Sequence, residues 1–283
     1  MNNSSLCSSP STWVHFAHAT DPGQVRDHNE DRVLVQLWAD SSTLLAVVAD
    51  GMGGHQGGEV AAQITIDTFA KLLEQPLPSE PSQRYELLAQ SFHIANQSIK
   101  ESASTSFNLM DMGATVVAAI VTPTDYLYLN AGDCRFYHLG ADGRTLRRSK
   151  DHTVMQVLLD LGQITEEQIP LHPMRSIVNS CLGGRGNKQI SIDPQWQADN
   201  PPIFPWQAGD ILLLSSDGMH GAISSAQIQE LVAQQGKNPA DLVQVCIDAA
   251  NAAGGNDNIS VVAIALSPLK IEFSMMSRVS RPK

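Results

Sequence analysis

The 283-residue sequence predicts an α+β fold in which antiparallel sheets are covered by pairs of helices. Helical periodicity arrives in two paired blocks between groups of consecutive strand-like runs, whereas a βαβ-wound parallel sheet would alternate the two. Four aspartates mark strand ends of alternating sense, and only antiparallel strands bring such ends to a common edge. With 42% hydrophobic and 17% charged residues, the chain has the composition of a globular protein and the length to bury a core without staples.

Residues 1–12, rich in Ser and Asn, are expected to be disordered. Strands are expected near 14–19, 32–38 and 43–49, and a first helical block over 58–74 and 83–102. Strands near 114–121, 125–130 and 134–139 follow. Residues 140–205 break the rhythm. There Asp151-His152-Thr153 reads as a helix N-cap, with Asp151 the capping residue and the helix running to about Leu161. Thr165-Glu166-Glu167 reads as a second cap, and Pro170, Pro173 and Gly183-Gly184 then turn the chain. An irregular insertion of this kind is a candidate flap over a binding edge. A strand near 211–216, helices over 226–234 and 239–253, and a strand near 259–266 complete a single domain over 13–268. Residues 269–283 form a short polar tail.

The aspartates carry the chemistry. Asp50 closes the apolar run Leu44-Leu45-Ala46-Val47-Val48-Ala49 and opens Gly51-Met52-Gly53-Gly54, and Asp217 closes Ile211-Leu212-Leu213-Leu214-Ser215-Ser216 before Gly218. Asp133 and Asp257 instead stand just before the runs that begin at Cys134 and Ile259. With antiparallel pairing, all four gather on one edge of a sheet, joined by Glu30-Asp31 ahead of the strand that begins at Arg32. So many carboxylates repel one another unless a cation sits among them. An all-oxygen donor set favours Mg²⁺ or Mn²⁺, admits Ca²⁺ and disfavours Zn²⁺. Asp-Gly and Asn-Asp-Asn are also ordinary turn formers, which would suffice for any one of these sites. Four together, with the acidic pair, favour the metal.

The bulk properties exclude several classes. A net charge of −11 and a pI near 5.1 argue against a nucleic-acid or anionic-membrane surface. Cys7, Cys134, Cys181 and Cys246 lie far apart with no Cys-x-x-Cys pair, so neither a zinc knot nor a disulfide framework is expected, and a reducing cytoplasm fits. The first ten residues lack the basic and apolar regions of a signal peptide, and no apolar run reaches the ~20 residues of a membrane span.

Read in order, Asp21-Pro22-Gly23-Gln24-Val25-Arg26 with Asn29-Glu30-Asp31, Ala49-Asp50-Gly51-Met52-Gly53-Gly54-His55, Met112-Gly113-Ala114-Thr115, Gly132-Asp133-Cys134-Arg135, Ser216-Asp217-Gly218-Met219 and Gly255-Asn256-Asp257-Asn258 form a series. It closely resembles the metal-dependent serine/threonine protein phosphatases of the type 2C class in their bacterial form. The resemblance covers roughly Val14 to Leu266. Each motif is weak alone, but six in the family's order are specific. It implies two stacked antiparallel sheets flanked by helix pairs, a four-layer αββα sandwich.

The resemblance also implies roles. The residue matching Asp50 bridges two metal ions, the Gly51 carbonyl holds one, and Asp217 and Asp257 hold the other. Glu30 reaches a metal largely through water, with Asp31 and Asn258 as supporting neighbours, and Asp133 joins Asp217 around a third, weaker ion. Two bridged cations would make a shared water hydroxide-like at neutral pH, so that no phosphoenzyme is needed. Arg26, four residues before Glu30, would hold the phosphate oxygens; its ordinary alternative is a solvated turn arginine.

The chain departs from the eukaryotic Asp-Gly-His pattern, with Met52 after Gly51 and a histidine later, at His55. His55 stands equally as the general acid for the leaving alkoxide or as a packed or capping histidine, and water held by a metal is a third source of the proton. His172 and Arg175 match a family segment in the flap, while Asn179-Ser180-Cys181 replaces the commoner Thr-Arg-Ala and bears on substrate choice. Cys134 replaces a common serine and reads as a small buried residue. His15, His18, His28, His93, His138 and His220 show no metal-ligand spacing.

The implied activity is Mn²⁺- or Mg²⁺-dependent hydrolysis of phosphoserine and phosphothreonine in proteins, opposing a bacterial Ser/Thr kinase in signalling or secretion control. The expected state is a cytoplasmic monomer without nucleic-acid or membrane partners. Two alternatives remain open: a phosphoprotein-binding regulator with a degenerate site, against which the intact acidic set argues, and a phosphatase acting on small phosphoesters or phosphotyrosine.

Overall fold

The computed structural model describes residues 7–10, 13–40, 42–53, 57–184, 189–235 and 238–267. One sheet runs in the order β1 (Cys7–Pro10), β2 (Val14–Asp21), β12 (Ile259–Leu266), β11 (Ile211–Ser215), β7 (Arg135–Leu139) and β8 (Thr145–Arg148). The other runs β10 (Phe204–Pro205), β6 (Asp125–Ala131), β5 (Gly113–Val121), β4 (Leu44–Met52) and β3 (Arg32–Leu37), with β9 (Leu182–Gly183) added beside the start of β5. Every pairing between these strands is antiparallel.

Helices α1 (Gly57–Ala70) and α2 (Pro81–Ala103) cover the second sheet; α5 (Ser225–Gln235) and α6 (Pro239–Ala252) cover the first. Two short helices, α3 (Val154–Asp160) and α4 (Asp217–His220), lie in the insertion and directly after β11. Among the described residues no helix is long and apolar enough to cross a membrane.

The period-2 geometry of strands explains why the central runs are apolar throughout. In β4, Leu44, Ala46 and Val48 enter the core between the sheets, while Leu45, Val47 and Ala49 pack under α1 and α2 beside Phe69, Leu88 and Phe92. In β12, Val262 and Ile264 face the other sheet, while Val261 and Ala263 pack against Leu242, Val243 and Ile247 of α6. Each sheet is thus buried on both faces, and three apolar layers separate four layers of secondary structure. Asp50 continues the Leu44, Ala46, Val48 face, so the strand's own parity aims it between the sheets.

Four expectations need correction. Within the stretch expected to be disordered, Cys7–Pro10 forms an edge strand in register with β2, pairing Cys7 with His18 and Pro10 with His15. The insertion is not irregular throughout, since β8 completes a hairpin with β7. Asp151 does not cap α3: the cap is Thr153, whose side chain accepts the Gln156 N–H, while both Asp151 oxygens bind Arg135 at 2.8 and 2.6 Å. A buried guanidinium is a stronger claim on a carboxylate than a helix end two residues away.

The fourth correction concerns the shared edge. The aspartates do not lie on one sheet: Asp50 belongs to β4 of the second, Asp217 opens α4 just after β11 of the first, Asp257 lies in the turn before β12 of the first, and Asp133 lies in the turn by which the chain passes from β6 to β7, from one sheet to the other. They converge because the two sheets are stacked with these ends together. His55 lies outside the described residues, as does the tail from 268 onward.

Candidate metal centre

Asp50, Asp133, Asp217, Asp257 and Glu30 are partly buried, and Asp31, at 1% exposure, is enclosed. Asp50 lies near the end of β4, Asp217 opens α4 directly after β11, and Asp133 and Asp257 lie in the turns that lead into β7 and β12, so backbone geometry delivers a carboxylate to the end of the sandwich at every position. Two glycines let these turns come together. A Cβ on Gly51 would stand 2.1 Å from the Gly58 carbonyl oxygen and 2.8 Å from that of Glu30, and a Cβ on Gly218 would stand 2.0 Å from the Asn258 carbonyl oxygen. Neither has positive φ. The Asp-Gly pairs therefore serve close backbone approach, and the ordinary turn reading does not explain them.

The cluster is electrostatically strained. Burial first, and then the charges of Asp31, Asp217, Asp133 and Asp257, push the Asp50 carboxyl well above the usual carboxylate range. Burial followed by Asp217 pushes Asp133 up to about 7, and burial raises Asp31 to about 8 although hydrogen bonds from Ser216 and Ser260 oppose the rise. Asp217 is raised by burial and by Asp257, against its hydrogen bond with Asp50 and the cations Arg26 and Arg135. Glu30 is raised by burial, with Arg26 opposing.

Neighbouring polar groups hold these carboxylates in place. Asn258 is the hub of the N-terminal loop: its Oδ1 accepts the Glu30 N–H at 2.8 Å, and its Nδ2 donates to the carbonyls of Pro22 at 3.0 Å and His28 at 2.9 Å. Ser216 donates its hydroxyl to Asp31 Oδ2 at 2.7 Å and accepts the Ser260 N–H at 2.9 Å. Asp31 Oδ1 is buried with no hydrogen-bond partner. Arg26 reaches Asp257 Oδ2 at 2.7 Å, with the two side chains 52% and 39% exposed.

Sequence reasoning missed three of the supports. Ser216 fixes Asp31; Arg135 braces the Asp133 turn through Asp151 and Tyr137; and His152 accepts the Gly132 amide. Cys134 is buried, as its small size leads one to expect, with its Sγ 3.2 Å from Thr115 Oγ1.

The residues suit a hard divalent cation. The donors are all oxygen, their mutual repulsion would be relieved by positive charge, and the Asp31 Oδ1 orphan leaves acceptor capacity inside the cluster. Among the described residues no three acidic, imidazole or thiol side chains form a ready-made cage, and the Asp257 carboxylate is paired with Arg26. A cation held by Asp257 would have to displace that contact.

Comparison with known proteins points the same way. The sequence model of the family described as Protein phosphatase 2C matches residues 24–257. The serine/threonine phosphatase stp of Listeria innocua is 30% identical over 253 residues, covering 89% of this chain and 95% of that protein. The S. agalactiae serine/threonine phosphatase superposes with a TM-score of 0.79 at 27% identity, over 90% of this chain and 100% of that one. The catalytic domain of the phosphatase PstP, solved in complex with two manganese ions, superposes with a TM-score of 0.73 at 28% identity, over 90% and 99% of the two chains.

Proposed function

The chain belongs to the protein phosphatase 2C family and is a serine/threonine protein phosphatase, and from that premise we propose that its acidic cluster, loaded with Mn²⁺ or Mg²⁺, hydrolyses phosphoserine and phosphothreonine in proteins, opposing a bacterial Ser/Thr kinase. The observation that carries the reading is the convergence of Asp50, Asp133, Asp217 and Asp257 from both sheets on one mutually repelling site. The two manganese ions of the PstP catalytic domain support a pair of ions here. Asp50 and the Gly51 carbonyl, with Asp217, Asp257 and Glu30, would hold that pair, and Asp133 with Asp217 a third. When bound, such ions supply a nucleophilic water at neutral pH and neutralise charge on phosphoryl oxygens.

The chain's own residues do the rest. Arg26 is the phosphate clamp. Its exposed pair with Asp257 is worth at most about 1 kcal/mol, so exchanging the carboxylate for a phosphate oxygen costs little. Asn258 holds the loop from Pro22 to Glu30 against the Asp257 turn, so the clamp and the acidic cluster keep one geometry. Asp31, fixed by Ser216 through one oxygen, keeps its other oxygen as a buried acceptor beside the cluster. As water adds to phosphorus and the bond to the serine or threonine oxygen breaks, the departing alkoxide takes a proton from His55 or from water. Residues 13–268 act as one catalytic unit, with 140–205 as the flap, in a cytoplasmic monomer. The buried thiols of Cys134 and Cys246 suit a reducing compartment.

The test is phosphate release from a phosphothreonine peptide across a Mn²⁺ titration, with and without EDTA, for wild type and Asp217→Ala. Metal-dependent turnover that the substitution abolishes is the expected result. Mn²⁺ binding without turnover in the wild type would overturn the reading in favour of a phosphoprotein-binding regulator.

A further inference from the structure

His152 lies on the chain between the β7–β8 hairpin and α3, and at 7% exposure it is buried although no step above uses it. Its contacts lead in two directions. Toward the acidic cluster, its Nδ1 accepts the Gly132 N–H at 3.2 Å and its own N–H donates to the Gly132 carbonyl at 2.8 Å. Gly132 is the residue before Asp133. Toward the flap, Nε2 lies 2.7 Å from Asp193 Oδ2, and the His152 carbonyl accepts the Asn179 N–H at 2.8 Å. Because Nδ1 accepts from a backbone amide, the ring hydrogen is on Nε2 and is donated to Asp193.

The surroundings make this link stiff. Asp193 is itself anchored to the strand that leads into the Asp133 turn, exchanging N–H and carbonyl bonds with Asn130 at 2.8 and 3.1 Å. Asn130 Nδ2 donates to the Lys150 carbonyl at 2.9 Å, and Asp151 holds Arg135 on the far side of the same turn. Residues 150–152 therefore clasp the turn from 130 to 135 on both sides. The one bond in the clasp that also reaches a half-buried flap carboxylate is made by the His152 ring.

We propose that His152 is a positioning residue whose imidazole, bridging the Asp193 carboxylate and the Gly132 amide, sets where Asp133 is presented to the acidic cluster and ties that placement to the seating of the flap. This rests on the reading of Asp133 as part of the metal-dependent phosphatase site. The bridge can be taken apart one bond at a time. In His152→Asn the side-chain oxygen stands where Nδ1 was and can still accept from Gly132, but nothing reaches Asp193. In His152→Gln the amide nitrogen stands near Nε2 and can still donate to Asp193, but nothing accepts from Gly132.

The experiment measures kcat and KM on a phosphothreonine peptide, Mn²⁺ binding by calorimetry, and the rate of tryptic cleavage at the exposed Arg175 of the flap, for wild type, both variants and each variant combined with Asp133→Asn. His152→Gln is expected to lower kcat roughly 10- to 100-fold, the usual effect of losing a support to a ligand, with KM changed far less, and to weaken the weakest Mn²⁺ site. His152→Asn is expected to keep most of kcat while cleavage at Arg175 speeds up severalfold. In the Asp133→Asn background the kcat effect of His152→Gln should shrink to within about twofold, because coupled residues are non-additive. Effects of His152→Gln and Asp133→Asn that simply multiply, or flap cleavage unchanged in His152→Asn, would overturn the proposal. Wild type without turnover would instead overturn the reading of function; the calorimetric and proteolytic comparisons need no turnover and still decide the role of His152.

Discussion

Asn258 offers the sharpest test of how the site is held together. It is 5% exposed, and its side chain makes three bonds to the backbone of the loop that carries Arg26 and Glu30. Asn258→Ala removes all three and leaves the Glu30 amide and the Pro22 and His28 carbonyls without these partners. At roughly 1 kcal/mol net for each bond the loss is about 3 kcal/mol. For a domain of this size that corresponds to a fall in Tm of roughly 6–12 °C. Asn258→Asp is the more telling variant. It keeps the acceptor for Glu30 but turns a carboxylate oxygen toward two carbonyls, so at pH 7.5 it should be at least as damaging as alanine. Part of that loss should return at pH 4.5, where a protonated carboxyl can again donate. The assay is thermal unfolding in EDTA, so that cation binding adds nothing to the native state. A Tm within about 2 °C of wild type for the alanine variant, or an aspartate variant as stable as wild type at pH 7.5, would refute the assignment of Asn258 as the anchor of that loop.

Three further outcomes are expected. Arg26→Ala should lower kcat/KM on a phosphothreonine peptide by more than tenfold while changing the unfolding free energy by no more than about 1 kcal/mol, since its pair with Asp257 is exposed; equal kcat/KM in steady-state kinetics would count against the clamp. Gly218→Ala places a Cβ against the Asn258 carbonyl, so it should cost about 1–3 kcal/mol and weaken Mn²⁺ binding, and calorimetry matching wild type would show that the two turns do not need their close approach. Burial first, and then Arg135 and Arg148, hold the His220 imidazole well below its ordinary value of 6.5, so below that pH the unfolded chain takes up a proton that the native one refuses. Stability is therefore lost as pH falls below about 6.5, by up to about 1.4 kcal/mol per pH unit from this group. His220→Gln should flatten the difference in urea midpoints between pH 7 and pH 5, and an unchanged difference would rule His220 out as its source.

What the sequence determined by itself is mostly local. Runs such as 44–49 and 259–266 announce strands because both of their faces are covered, so no polar residue interrupts them, and the acidic residues at their ends are visible because a strand end and its turn are adjacent in sequence. That much suffices to nominate residues for the site and, with the order of the six motifs, to name the family. The tertiary structure alone decided how they meet. No local pattern says that Asp50 and Asp217 are delivered by strands of different sheets, since the passage from β6 to β7 is fixed by the stacking of the two sheets. Gly51 and Gly218 look like turn glycines until the backbones opposite them are in place. Thr153 displaced Asp151 as the helix cap because Arg135, 16 residues earlier, claimed the carboxylate. The bonds from Ser216 to Asp31 and from His152 to Asp193 join residues 185 and 41 positions apart. Hydrogen bonds and charge pairs of that range depend on which surfaces the hydrophobic layers press together, and a chain read residue by residue carries the periodicity of those layers without their arrangement.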